Sequence, residues 1–317
     1  KIWYSKGLTQ EGLGRYEEAI VSYGKALEID PEDSNVWYSK GIALKWLERP
    51  EEAIEAYDKS IQIDPSNRFA YIRKGMTLAD LGRHEEALKA YNRALDMDRS
   101  DLRLLEKKKE SLKALNRWSD IESTASRIID IDPENVEAWR DSGTALRKLG
   151  EVESALNSFK KALDIEETLE DLINVKDILV DLKRWKQVLE YSNKIIEKDE
   201  ENVETLRDKA RALKNLGKRE ESLETLNTAL DLDSENSVLW LQKGMILEHL
   251  EQYENSLRAY NKVLDIDPDD ERAINRKAES LRKMERYSEA AEWYQKLIDR
   301  EPENTHYLDM KGKCLAE

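Results

Sequence analysis

The chain contains a single cysteine, Cys314, among its 317 residues. One thiol cannot form an intramolecular disulfide, and a cysteine-rich zinc site is excluded for the same reason. The three histidines, His84, His249 and His306, lie more than fifty residues apart, so no two of them have the spacing of a metal site. We therefore expect no metal and no other cofactor. A reducing compartment, the cytoplasm, fits this cysteine usage.

Long apolar runs are also missing. No segment approaches the roughly 20 apolar residues that a membrane-spanning helix needs, and charged residues make up 38% of the chain. Acidic residues outnumber basic ones by 67 to 52, which gives a formal net charge of −15. This excess repels nucleic-acid phosphates over most of the surface. We expect neither a membrane nor a nucleic acid, RNA included, as a partner.

Catalytic motifs are absent as well. Gly7, Gly12 and Gly14 have the spacing of neither a dinucleotide-binding GxGxxG motif nor a phosphate-binding loop. Carboxylates are abundant, but on solvated helix faces most of them pair with Lys or Arg four residues away, as Glu55 and Lys59 illustrate. No pair of carboxylates stands out as an acid and base. The sequence predicts a protein that is not an enzyme.

What the chain does contain is an internal repeat. Five of its six prolines are separated by 34, 68, 135 and 34 residues: Pro31, Pro65, Pro133, Pro268 and Pro302. Glycine or alanine recurs with the same period at Gly7, Gly41, Gly75, Gly143, Ala210, Gly244, Ala278 and Gly312. Because prolines and small residues recur with the same period, the repeat is not a coincidence. A period of this length is typical of stacked supersecondary units.

One residue is missing from this register near the middle of the chain. Phe159 is still in phase, whereas Trp185 follows its counterpart Trp118 by 67 residues, so the gap lies between about Leu163 and Leu172. We predict nine repeats and a partial tenth in a single solenoid over residues 1–317. The predicted repeats are 1–33, 34–67, 68–101, 102–135, 136–168, 169–202, 203–236, 237–270, 271–304 and the partial 305–317.

Each repeat has the pattern of two helices. Apolar and small residues follow one another at steps of three, four and six, which marks one face of a helix: Trp37, Gly41, Leu44, Leu47, Ala53, Tyr57 and Ser60. Proline disfavours helical geometry in the residue before it, so the second helix ends before Pro65. Glycine costs about 1 kcal/mol of helix propensity. Its recurrence therefore indicates a close contact between the two helices. The sequence predicts an all-α fold.

This pattern resembles the tetratricopeptide repeat family, through Trp37, Gly41, Ala53, Tyr57, Ser60 and Pro65. The resemblance spans the whole chain. It implies an α-solenoid of antiparallel helix pairs wound into a right-handed superhelix, whose first helices line a concave groove for extended peptides or partner helices. The match is weaker in repeats 4 and 6, where Lys109 and Lys176 replace the glycine. We expect those two repeats to pack more loosely.

In the family geometry, the side chains at positions two, five, nine, twelve and thirteen of each repeat face the groove, where position one is residue 34 in repeat 2 and residue 68 in repeat 3. In repeats 1 to 3 these positions hold an apolar strip: Tyr4, Leu8, Tyr38, Ile42, Trp46, Phe69, Ile72 and Met76. Packing between repeats does not require such residues, and an exposed apolar patch usually contacts a partner. Contact with upstream repeats absent from this chain, or a groove that stays partly wet, is the alternative.

The later repeats carry basic residues instead. Repeats 5, 7 and 9 present Arg140, Arg147, Lys148, Arg207, Arg211, Lys214, Arg272, Arg276, Arg282 and Lys283. Acidic residues are interleaved with them, so two interpretations stay open. One is an internal ladder of salt bridges, in which each exposed pair contributes roughly 0–1 kcal/mol. The other is a basic surface for an acidic partner, because the planar arginine fork can hold a carboxylate at two points.

These patterns together predict a noncatalytic protein-interaction scaffold. It would bind a protein or peptide, with apolar residues entering repeats 1 to 3 and an acidic segment along repeats 5 to 9. One alternative is the substrate-recruiting arm of a larger enzyme, because Lys1 lies inside a predicted first helix and residues 305–317 form a first helix without its partner. The other alternative is a structural or assembly module that self-associates through its open ends.

Overall fold

The structure, a computed structural model, describes all residues from 1 to 317 and contains nineteen α-helices and no strand. None of the helices combines the length and the apolar character that crossing a membrane requires. The first ten helices are α1 Ile2–Gly12, α2 Tyr16–Ile29, α3 Ser34–Trp46, α4 Pro50–Ile63, α5 Arg68–Asp80, α6 His84–Met97, α7 Leu102–Ala114, α8 Trp118–Ile131, α9 Val136–Leu149 and α10 Val152–Ile165. The other nine are α11 Leu169–Asp181, α12 Trp185–Lys198, α13 Val203–Asn215, α14 Arg219–Leu232, α15 Ser237–His249, α16 Tyr253–Ile266, α17 Glu271–Lys283, α18 Tyr287–Arg300 and α19 Thr305–Ala316.

Local sequence explains where the helices begin and end. From α3 onward, every first helix of a repeat follows an Asp, Asn or Thr whose side chain accepts a hydrogen bond from a backbone N–H of the first turn. These caps are Asp33, Asn67, Asp101, Asn135, Thr168, Asn202, Asn236, Asp270 and Asn304. Five of the nine second helices end at a residue in extended conformation, as at Asp64 before Pro65. The predicted all-α fold of antiparallel helix pairs is confirmed.

Five repeats bring their two helices together at the glycine. A Cβ atom added at Gly41 would lie 2.5 Å from a ring carbon of Tyr57. Comparable contacts, all within 2.8 Å, join Gly7 to Tyr23, Gly75 to Tyr91, Gly143 to Phe159 and Gly244 to Tyr260. The glycine therefore makes room for an aromatic ring from the second helix, and the close helix contact predicted from its recurrence is confirmed.

Repeats 4 and 6 replace this contact with a different one. Lys109 and Lys176 stand at the position of this glycine, and the residues sixteen positions later, where the five glycine repeats have the ring, are Ala125 and Ser192. The small side chains leave the space that a lysine stem needs. The two helices of these repeats pack less closely than those of any other repeat, which confirms the expected looser packing.

The chain divides into two compact units, residues 1–166 and residues 167–317. Within each unit, every helix packs against the next one along the chain. The division falls in the connection between α10 and α11, which has three residues where the other connections between repeats have four. The predicted position of the missing residue is therefore confirmed. The single solenoid over 1–317 stays a prediction.

Candidate functional site

The apolar strip of unit 1 lies on α1, α3 and α5, and its members differ in exposure. Trp46, Phe69 and Leu8 are 65%, 63% and 44% exposed. The other five are half-buried: Tyr4, Tyr38, Ile42, Ile72 and Met76. Because water covers most of the largest side chain, the strip is an accessible surface and not only a part of the core.

Two tyrosines of the strip also have a structural role. The ring of Tyr4 is tilted against Tyr23 at a centroid distance of 6.0 Å, and Tyr38 packs in the same way on Tyr57 at 6.2 Å. The Tyr4 and Ser39 hydroxyls form a hydrogen bond of 3.3 Å between α1 and α3. Each ring therefore covers the glycine-facing aromatic of its own repeat and presents its other side to the surface.

A cavity of about 350 Å³ lies between α3 and α5. Three residues of the predicted strip, Ile42, Trp46 and Met76, line it. The indole of Trp46 is stacked on Tyr16 at 5.7 Å, which holds it in place. Tyr57 and five polar or charged residues complete the lining: Lys45, Glu48, Arg73, Thr77 and Asp80. The remaining strip residues do not line this cavity: Tyr4, Leu8, Tyr38, Phe69 and Ile72.

Several of the predicted basic residues are held in ion pairs. Arg140 contacts Glu166 at 3.0 Å within unit 1, and Arg147 also has an interaction partner. In unit 2, Arg207 pairs with Glu204 at 2.9 Å. Arg276 pairs with Glu279 at 3.1 Å, and Lys283 pairs with Glu248 at 3.0 Å. For Arg140, Arg207, Arg276 and Lys283, these contacts favour the salt-bridge ladder.

Other basic residues have different surroundings. Lys148 lies 5.9 Å from the ring centre of Trp118, and Arg211 lies 5.3 Å from that of Trp185. Burial raises the pKa of Tyr294, and the neighbouring Arg282 opposes part of that rise. Arg211, Lys214 and Arg272 form no ion pair, and all three line a cavity of about 570 Å³ in unit 2. In unit 2 these three predicted cations therefore stand around a cavity without a carboxylate partner.

Two carboxylates on first helices are buried because they pair with the lysines that replace the glycine in repeats 4 and 6. Asp141 and Asp208 are 6% and 4% exposed. Lys109 lies 2.8 Å from Asp141, and Lys176 lies 2.6 Å from Asp208. Burial is the largest influence and lowers the pKa of Lys176, but the contacts with Asp177 and Asp208 together raise it above the ordinary lysine value. Both lysines are therefore held in the charged form.

Sequence reasoning missed these two buried pairs, although a signal was present. A lysine at the glycine slot is followed 32 residues later by an aspartate, in repeat 4 as in repeat 6. The equivalent position after the other repeats lies 32 residues on, or 31 after Gly143 because of the missing residue, and holds Ser39, Arg73, Lys107, Asn174, Gln242, Arg276 and Met310. An aspartate therefore occurs there only when a buried lysine precedes it.

Solved structures similar to the chain share its helical architecture. "Structure of Naa15/Naa10 bound to HypK-THB" matches 94% of this chain with a TM-score of 0.67 and 14% identity. The chain spans 46% of the length of that match. MamA from Desulfovibrio magneticus RS-1 matches 52% of the chain and 93% of its own, with a TM-score of 0.44 and 20% identity. YrrB, described as a TPR protein with an unusual peptide-binding site, matches 70% of the chain and 97% of its own, with a TM-score of 0.41 and 22% identity. No curated protein sequence matches the chain significantly.

Family models for the tetratricopeptide repeat match most of the chain. The matched residues are 1–33, 34–67, 69–101, 136–169, 207–271 and 249–314. The unmatched segments, 102–135 and 170–206, contain the two repeats with Lys109 and Lys176 in the glycine slot. The residue pattern, the helix pairs and these matches agree, and the chain belongs to the tetratricopeptide repeat family.

Proposed function

We propose that this chain is a noncatalytic scaffold that binds an extended peptide or a partner helix on its first helices. The observation that carries the proposal is Trp46, which is 65% exposed beside the cavity between α3 and α5. Burying apolar surface gains about 25 cal/mol per Å², so an indole left in water is a free-energy source for binding. Tryptophan is also among the residues that dominate binding energy at interfaces.

The cavity between α3 and α5 suits one apolar side chain of a partner. Ile42, Trp46 and Met76 supply its apolar lining, and the Lys45–Asp80 ion pair at 2.6 Å lies beside them. A mainly apolar site with a few fixed polar groups is the usual composition of a specific pocket, because the polar groups set the orientation of the ligand. Methionine adds adaptability, since its flexible thioether fits side chains of different shape.

The proposal extends to an acidic segment in the partner. Unpaired basic side chains of unit 2, on α13 and α17, attract carboxylates, and arginine holds them with two parallel hydrogen bonds. The overall negative charge of the chain makes a local basic surface selective, since the rest of the molecule repels an acidic partner. We place this scaffold in the cytoplasm, where its one thiol, the buried Cys314, stays reduced.

A pull-down with two variants tests the apolar part of the proposal. The first variant carries Ile42→Ser, Trp46→Ala and Met76→Ser, which remove the apolar lining of the cavity. The matched control carries Val21→Ser and Ile29→Ser, which change side chains that are 60% and 72% exposed and do not line the cavity. Quantitative mass spectrometry then compares the proteins captured by the wild-type chain and by each variant.

We expect one or more partners to be captured by the wild type and the control and lost from the cavity variant. Equal capture by all three proteins would show that the cavity binds nothing. Circular dichroism checks that the cavity variant keeps its helix content. Light scattering over a range of concentrations separates partner binding from self-association, because a chain that binds only other proteins keeps a constant mass.

A further inference from the structure

The cavity of unit 2 combines an apolar floor with a cluster of cations. Its volume is about 570 Å³, and it is surrounded by α13, α15, the turn from α11 into the start of α12, and one residue of α17. The apolar lining comes from Ala210, Val238, Leu241, Met245 and Ile246. Val238 is 48% exposed, whereas Leu241 and Ile246 are 9% and 2% exposed. The floor is therefore part of the core, and the rim is open to water.

Four cationic side chains line the same cavity, and no carboxylate does: Lys183, Arg211, Lys214 and Arg272. None of the four forms an ion pair within the chain, which separates them from Arg207 and Arg276 on the same helices. Arg211 is held over the indole of Trp185 at 5.3 Å, so its position is defined although it has no carboxylate partner. The cavity therefore concentrates positive charge that the chain itself leaves uncompensated.

This concentration of charge adds to the effect of burial on two titratable groups beside the cavity. Burial and the neighbouring Arg276, Arg211 and Arg219 lower the pKa of Lys214. Burial and Lys214 in turn lower the pKa of His249, at the end of α15. Like charges close together raise the free energy of the empty cavity, and an anion placed among them relieves this repulsion. A ligand with both a carboxylate and an apolar group matches the two halves of the lining.

We propose that this cavity binds a peptide segment in which an acidic residue stands next to an apolar one. The carboxylate lies among Arg211, Lys214 and Arg272, and the apolar side chain contacts Leu241 and Met245. The inference rests on the proposed function, because it names the second point at which a bound peptide is held. It differs from the cavity between α3 and α5 in requiring a carboxylate as well as an apolar group.

Fluorescence anisotropy with a defined peptide and the whole chain tests the proposal. The probe is a short labelled peptide of alternating Glu and Leu, compared with one peptide in which Gln replaces Glu and another in which Ser replaces Leu. The cavity variant carries Arg211→Gln, Lys214→Gln and Arg272→Gln. The matched control carries Lys186→Gln, Arg258→Gln and Lys262→Gln, three exposed cations of the same unit that lie outside the cavity and change the net charge equally.

We expect the cavity variant to bind the Glu-Leu peptide at least about tenfold more weakly than the wild type, and the control to bind it within about twofold, because only the first loses charge-assisted hydrogen bonds. The Gln-Leu and Glu-Ser peptides should bind the wild type more weakly than the Glu-Leu peptide. Equal affinity of both variants would overturn the proposal, and so would tighter binding of a single-stranded RNA with the same dependence on the three cations. The two proposals can fail separately. Suppose that the Arg211, Lys214 and Arg272 variant binds the peptide as the wild type does and still captures the partners that the Ile42, Trp46 and Met76 variant loses. This inference then fails, whereas the proposed function stands.

Discussion

Lys109 and Lys176 restrict which residue types can occupy the positions that contact them. At the glycine slot, an aromatic ring and a lysine stem cannot occupy the same space, so each lysine requires a small residue on the second helix, Ala125 or Ser192. Each also needs a buried carboxylate on the next first helix, because an unpaired buried ammonium is costly. Three residues that are far apart in the chain are thereby coupled in each case: Lys109, Ala125 and Asp141, and likewise Lys176, Ser192 and Asp208.

The Lys176–Asp208 pair yields a prediction about stability. Asp208→Asn leaves a cation that is 1% exposed with only the half-exposed Asp177 as a charged partner, so we expect a loss of about 3 kcal/mol in the free energy of unfolding. Adding Lys176→Met to Asp208→Asn should recover most of that loss, since neither charge remains. Chemical denaturation followed by circular dichroism measures both variants.

An exposed ion pair serves as the control for this prediction. Asp58→Asn removes the carboxylate that contacts Lys74 on the surface of unit 1 and should change the stability by less than about 1 kcal/mol. If Asp208→Asn were no more destabilising than Asp58→Asn, the buried pair would not have the stabilising role assigned to it. Failure of the double variant to recover would show that the lysine stem, and not its charge, determines the packing.

At the scale of elements, the turn between the two helices of a repeat follows one backbone rule. Each such turn contains one residue with a left-handed conformation. Glycine occupies it at Gly14, Gly82, Gly150 and Gly217, and other residues occupy it at Glu48, Asn116, Lys183, Glu251 and Glu285. A left-handed conformation costs a residue with a Cβ atom roughly 1–2 kcal/mol relative to glycine. The five turns without glycine therefore carry backbone strain, which the packing of the flanking helices offsets.

Replacing one of these residues by glycine should stabilise the protein. For Glu251→Gly, where φ is 58°, we expect a gain of about 1 kcal/mol in the free energy of unfolding. Gly217→Ala is the matched reverse change: φ is 81° and no atom lies within 4 Å of the added Cβ, so its destabilisation of about 1 kcal/mol is purely a backbone effect. Thermal and chemical denaturation give the sign of each change, and a loss of stability in Glu251→Gly would contradict the strain argument.

At the scale of the whole molecule, buried phenols make both units sensitive to alkaline pH. Burial is the main cause that raises the pKa of Tyr23, Tyr57 and Tyr91 in unit 1 and of Tyr260 in unit 2. The pKa of Tyr294 rises from 10.0 to about 12, again mainly through burial. A phenol that stays protonated in the folded state but ionises in the unfolded state ties stability to pH.

The sign of this dependence follows from the raised pKa values. The stabilisation is complete below pH 10, where the phenol of the unfolded chain is also protonated, and it is lost as pH rises through the folded-state pKa. We expect the free energy of unfolding to fall between pH 10 and 12, with roughly 2 kcal/mol of the loss due to Tyr294. Denaturation at several pH values measures the fall, and tyrosinate absorbance should appear together with the loss of helix. Tyr294→Phe should flatten the dependence; an unchanged slope would contradict it.

The period of the sequence repeat is enough to predict the helical fold of this chain. The period of the prolines and glycines predicted the helix pairs and the family, and one residue missing from the register located the short connection between α10 and α11. These features follow from the sequence because a period constrains every repeat in the same way, so errors at single positions cancel. The close contact at Gly41 was predictable for the same reason, since the glycine recurs at a cost in helix propensity.

Only the tertiary structure decided which side chains are free to bind. Arg207 and Arg211 stand on the same helix and were predicted as equivalent, yet the first is paired with Glu204 and the second lies over Trp185 beside an open cavity. Asp141 and Asp208 are buried, although the repeat pattern does not distinguish them from the other acidic residues interleaved with the basic ones. The difference arises because ion pairs and cavities form between neighbouring helices, where the direction of each side chain and the size of its neighbours count, and a one-dimensional period contains neither quantity.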